Sequence, residues 1–215
     1  MNIIKAYNEN CIDSNNLKKM ASKPMGIIVH STGFNNPYTA YHVEKSKNLK
    51  RFPHAFIGYD EMKKISVVEI IPQNICCRNV GIGMYGSLDY APAYLQIEIC
   101  EDSKENKNYY NAVFEEAIEY CAHICNVYNL SVQEIVSHKE AYEAGYGSNY
   151  KDPEYWMKIY GETMSNFREK VAKLLNVSKT DAIHLSETKK IIPGWVKLQN
   201  EKLFDTERRF SDGGC

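Results

Sequence analysis

Three dispersed residues have the types to hold one metal ion: His30, His138 and Asp152. Two imidazoles and a carboxylate suit zinc, and three protein ligands leave a fourth position for water. Zinc in such a site lowers the pKa of that water to roughly 7. The stretch Gly26-Ile27-Ile28-Val29-His30-Ser31-Thr32 brings its histidine to the end of a run of β-favouring aliphatics, a buried strand. His138 follows a second short strand, 134–137. Asp152 ends a segment holding Gly145, Gly147, Ser148 and Asn149, read as a loop across 140–152. Spacing alone does not make these three a metal site, because each histidine also reads as a polar residue at a strand end.

The elements that must position them can be read in order. Residues 1–24 are polar and weakly patterned, a surface lead-in stopped by Pro24. A helix is predicted over 38–48, and strands over 53–59 and 65–71, joined as a hairpin through Asp60-Glu61. Residues 73–93 hold Cys76-Cys77 and show no period; an unpatterned stretch of this length inside a domain is usually functional. In the strand 94–100, Leu95, Ile97 and Ile99 share one face, so Glu98 projects from the other with Gln96 and Cys100. Helical spacing of Val113, Ala117, Cys121, Ile124 and Tyr128 defines a helix over 108–129, and two more follow at 153–160 and 164–175. Strands and helices mix along the chain, which indicates an α/β fold with a central sheet flanked by helices. Beyond 176 the pattern weakens, and 177–215 reads as a linker or appendage to a domain spanning 1–176.

The whole chain restricts function further. With 215 residues, 44% hydrophobic and 25% charged, it has the composition of an ordinary globular protein. A formal net charge of −1 leaves no basic footprint for nucleic acid. No apolar run is long enough to cross a membrane and no signal core stands near the start, so the expectation is synthesis in the cytoplasm without a signal peptide. The seven cysteines follow no disulfide-scaffold spacing and are read as reduced thiols. Cys121 and Cys125, one helical turn apart beside the apolar stripe, read as core residues and not as metal ligands with His123. Oligomeric state is left open.

Four segments in order, IIVHST, HAFIGYDE, LQIEICED and SHKEAYEAGYGSNYKDPEYWMKIYGETMSNFREKV, resemble the zinc-dependent N-acetylmuramoyl-L-alanine amidases. That family is shared by phage lysozymes of the amidase class and peptidoglycan-recognition proteins, and the likeness is to clostridial and phage cell-wall lytic enzymes over about residues 20–175. The resemblance implies a mixed sheet flanked by helices, a Zn2+ cofactor, and peptidoglycan as substrate. It places zinc ligands on His30, His138 and Asp152 and a catalytic glutamate on Glu98, which would take a proton from water and pass one to the leaving amine. His54 falls on a family histidine read as supporting the site and not as a ligand.

Departures concern the substrate cleft. Relatives often carry a basic residue two positions before the acidic ligand, where it stabilises the developing oxyanion; this chain has Tyr150 there, which offers a hydroxyl without charge. Pro53 and the segment Ile75-Cys76-Cys77-Arg78-Asn79 also differ from the family pattern. The reading is a hydrolase cleaving the amide between N-acetylmuramic acid and L-alanine, set in a phage endolysin or bacterial autolysin acting on the cell wall. The alternative is a non-catalytic peptidoglycan-binding recognition module on the same fold. A metal-dependent nuclease is disfavoured by the charge.

Overall fold

The structure, a computed structural model, describes residues 1–7, 12, 17–46, 52–90, 93–102 and 106–175. The expected appendage at 177–215 lies outside them. Six strands form one mixed sheet: β1 (Ile3–Lys5), β2 (Ile27–Thr32), β3 (Ala55–Tyr59), β4 (Ile65–Glu69), β5 (Leu95–Cys100) and β6 (Ile135–Ser137). Their order across the sheet is β1-β4-β3-β5-β2-β6. Only the β3–β4 hairpin is antiparallel; every other neighbouring pair is parallel. Among the described residues, α-helices accompany it at α1 (Pro37–Ser46), α2 (Lys107–Tyr128), α3 (His138–Glu143), α4 (Glu154–Ile159) and α5 (Met164–Leu174).

Strand alternation sorts the side chains onto two faces. Ile27, Val29, Ala55, Ile57, Leu95, Ile97 and Ile99 are buried against α2, α4 and α5, where Val113, Ala117, Cys121, Trp156, Phe167 and Val171 meet them. Each of the valines, leucines and isoleucines contributes about 1.5–3 kcal/mol through its removal from water. Phe56, Val68 and Cys100 point to the opposite face, packed with Ala40 and Tyr41 of α1 and with Ile71 and Cys77. α2 begins where the Asn106 side chain accepts from the Tyr109 N–H at 3.1 Å. It stops at Asn129, whose φ of 53° is left-handed, a conformation asparagine tolerates better than most residues. Cys76, Cys77, Cys100, Cys121 and Cys125 are buried and not joined in disulfides, and His123 is exposed.

Two sequence expectations need correcting. The lead-in is not merely loose surface: Ile3–Lys5 pairs in parallel with Val67–Glu69 and forms the sheet edge. Three residues are too few to show an alternation, so composition concealed the strand. The segment read as a loop across 140–152 opens as helix α3, with Ser137 as N-cap. The Ser137 hydroxyl accepts from the Glu140 N–H and the Glu140 carboxylate accepts from the Ser137 N–H, a capping box that starts a helix too short to display a period. Irregular chain resumes only after Glu143.

Candidate active site

Parallel register sets up the centre. His30 and Glu98 are direct partners across β2 and β5, so their side chains stand side by side on one face. Val29 is paired with Ser137, which brings His138, the next residue after β6, level with His30. His30 and Glu98 are each the fourth of six residues in their strands, so the site lies on a face of the sheet toward its carboxyl half, with His138 just past the end of β6. Asp152 arrives from the far side, immediately before Pro153 and α4.

His30, His138 and Asp152 bring one ligand atom each to within 4.8 Å of one another. The Nδ1 atoms of the two imidazoles are 3.0 Å apart; Asp152 Oδ2 is 3.1 Å from His30 Nδ1, and Oδ1 is 3.3 Å from His138 Nδ1. The outward nitrogens define the tautomers. His30 Nε2 lies 2.7 Å from Gln96 Oε1, and the Gln96 amide is oriented by donating to Asp89 Oδ1 at 3.3 Å. His138 Nε2 lies 3.2 Å from Ser148 Oγ, whose own hydrogen goes to the Val80 carbonyl at 2.9 Å. Both Nε2–H groups therefore donate outward, and each Nδ1 faces Asp152, to which it donates when protonated and beside which its lone pair is available to a metal when it is not. Two imidazole nitrogens and a carboxylate converging in this way fit a divalent cation.

Electrostatics favour positive charge at the same point. Burial works against a charged His30, but the hydrogen bond to Asp152 and the charges of Glu98 and Asp152 outweigh it and hold the imidazole at about 9. Burial likewise opposes a charged Asp152, yet the hydrogen bonds from His138 and His30 keep that carboxyl below the usual carboxylate range. For Glu98 burial prevails and pushes the carboxyl up to about 7, against the opposing pull of His30. Its Oε1 accepts from Asn79 Nδ2 at 2.9 Å. Its Oε2 is buried with no hydrogen-bond partner among the described residues.

The expected residues fall as follows. His30, His138, Asp152 and Glu98 come together. Tyr150 is 55% exposed, with its ring centroid 5.3 Å from that of His138, so its hydroxyl is free to reach a molecule at the centre. His54 is no ligand: its Nδ1 accepts from the Gln96 N–H at 2.9 Å and its Nε2–H donates to the Ile75 carbonyl at 2.8 Å. It supports the strand that carries Glu98. Glu101 braces the rim, accepting from Ser31 Oγ at 2.6 Å and from the Tyr155 hydroxyl.

Four residues escaped the sequence reading: Gln96, Ser148, Asn79 and Asp89. Gln96 had a signal, since alternation puts it on the face of Glu98. Asn79 and Asp89 belong to the unpatterned stretch 73–93, which carried no position-specific cue. The buried Asp89 accepts from the Asn79 and Val80 N–H groups at 3.0 and 3.1 Å and so pins that stretch against β5.

A mixed sheet that gathers two histidines, an aspartate and a buried glutamate in one place has the groups for hydrolysis. Residues 20–154 match the N-acetylmuramoyl-L-alanine amidase family, and the chain belongs to that family. Among solved structures, the fold is similar to that of the Staphylococcus aureus hydrolase AmiA in complex with its ligand. That pair has a TM-score of 0.64 and 17% identity, over 83% of this chain and 87% of the other. The catalytic domain of XlyA aligns with a TM-score of 0.61 at 19% identity, over 80% of this chain and 99% of that one. The PlyG catalytic domain gives 0.59 at 22%, over 84% and 98%. No curated protein matches the sequence significantly. The chain is a peptidoglycan amidase by family, and the non-catalytic alternative is not favoured. Among the described residues no helix is long and apolar enough to cross a membrane.

Proposed function

We propose that the protein hydrolyses the amide between the lactyl group of N-acetylmuramic acid and the L-alanine of the stem peptide, with Zn2+ held by His30, His138 and Asp152. When bound there, zinc supplies a Lewis acid that polarises the scissile carbonyl and makes water acidic enough to react near neutral pH. Glu98 takes the proton from the attacking water through Oε2 and hands it to the leaving amine. Asn79 holds the other carboxylate oxygen, so the acceptor stays aimed. Tyr150 donates a hydrogen bond to the oxyanion as it forms. Water and amide become a free lactyl carboxylate and a free alanine amine. The observation that carries this reading is the buried Oε2 of Glu98, without a hydrogen-bond partner among the described residues, on a strand position paired with His30. A phage endolysin or a bacterial autolysin, acting on the cell wall, is the setting it suits.

The test is digestion of purified peptidoglycan with and without a chelator, scoring new alanine amino termini and new reducing sugar ends. Alanine termini that disappear with chelator and return with zinc are expected. Reducing ends in their place would mean glycosidase chemistry. Pelleting with cell walls without any cleavage would restore the recognition-module alternative.

A further inference from the structure

His138 and Asp152 come from separate segments, and a ligand pair of that kind needs something to fix its separation. Glu154, the first residue of α4, lies two positions beyond Asp152 with only Pro153 between them. Proline restricts its own φ, so the link from Asp152 to Glu154 is short and stiff. The Glu154 carboxylate reaches across to both neighbours of His138. Oε1 accepts from the Ser137 hydroxyl at 2.7 Å, and Oε2 accepts from Lys139 Nζ at 2.9 Å. Ser137 is fully buried, and its hydroxyl also accepts from the Glu140 N–H at 3.0 Å.

We infer that Glu154 is a positioning residue that sets the spacing between His138 and Asp152. Holding α3 in place is not its task. Arg168 already does that, with Nη1 and Nη2 each 2.9 Å from a Glu140 carboxylate oxygen and Nη1 also on the Ile135 carbonyl. What Glu154 adds is the connection from this clamped helix start to the segment carrying the carboxylate ligand. Its side chain is about one quarter exposed and that of Lys139 about one third, so their Coulomb attraction is screened and the value of the pair is geometric. Partners that orient metal ligands affect affinity by roughly 10–100-fold.

The inference rests on the proposed metal site, and its test separates the two. Zinc affinity is measured by competition with a chromophoric chelator for the parent, His30→Ala, Glu154→Ala, Glu154→Gln and Glu143→Gln. The visible spectrum of the cobalt-loaded proteins and the Tm of the metal-free proteins are recorded alongside. Glu154→Ala is expected to weaken affinity by about 10–100-fold, to change the cobalt spectrum and to lower the metal-free Tm by only a few degrees, as one buried hydroxyl loses its acceptor. Glu154→Gln retains the acceptor for Ser137 and should recover much of the loss. Glu143→Gln, which removes the other carboxylate near Lys139 (3.4 Å), should match the parent. Parent-like affinity and spectrum in Glu154→Ala, with His30→Ala unable to bind, would overturn the positioning role alone. An affinity loss matched by collapse of the metal-free Tm would also overturn it, as plain destabilisation. Zinc binding indifferent to His30→Ala would overturn the metal site and the role of Glu154 together.

Discussion

Glu98 shows how much a single residue gives up for reactivity. Burial raises its folded pKa from the usual value to about 7, so its contribution to stability is intact below about pH 4.5 and is lost as pH rises through 7. In the metal-free protein at pH 8, Glu98→Gln should therefore be more stable than the parent by about 3 kcal/mol. The difference should fade below pH 4.5 in urea titrations. The same variant should keep its zinc and lose turnover, whereas His30→Ala should lose both. Full activity in Glu98→Gln would remove the general base from the mechanism. Tyr150→Phe deletes only a hydroxyl on a half-exposed ring, so kcat should drop by up to about 10²-fold with zinc content unchanged. At this scale the sequence was most legible through resemblance. The four site residues stood in matching motifs, while Gln96 and Ser148, which set the histidine tautomers, looked like ordinary polar residues.

Among the elements, β5 was readable because its aliphatics alternate with polar residues, and β2 because three consecutive aliphatics lead to His30. α2 was readable because 22 residues show a full helical period. α3 and β1 were not, being six and three residues long and governed by a capping box and an edge pairing. The approach to β2 carries its own requirement. A Cβ on Gly26 would lie 2.1 Å from Tyr94 Cε1 and 2.4 Å from the Glu134 carbonyl oxygen, which is backbone and cannot swing aside. Gly26→Ala should thus cost about 1–3 kcal/mol by overpacking, read as a lower urea midpoint. Because the strain enters four residues before His30, zinc affinity should fall with it. Unchanged stability would mean that β2 has room to shift along the sheet.

For the whole molecule, acid sensitivity gathers at His54, between β3, β5 and the stretch after β4. Burial lowers its pKa from 6.5 to about 4. The unfolded chain takes up a proton first, so stability present above pH 6.5 is lost as pH falls through that value toward 4, about 3 kcal/mol in all. His54→Gln should abolish this part of the pH dependence, seen as the difference between the two stability curves over that range. The anchoring of 76–90 has a consequence of another kind. These residues include no helix and only the isolated bridge between Gly83 and Gly86, yet the Asn79 and Val80 amides end on a buried carboxylate. Opening them means dragging Asp89 out of the interior and releasing Gln96 and Ser148 with it. In deuterated solvent those two amides should exchange nearly as slowly as the centre of β5, so a segment irregular in outline would belong, by its protection, to the last part of the protein to open.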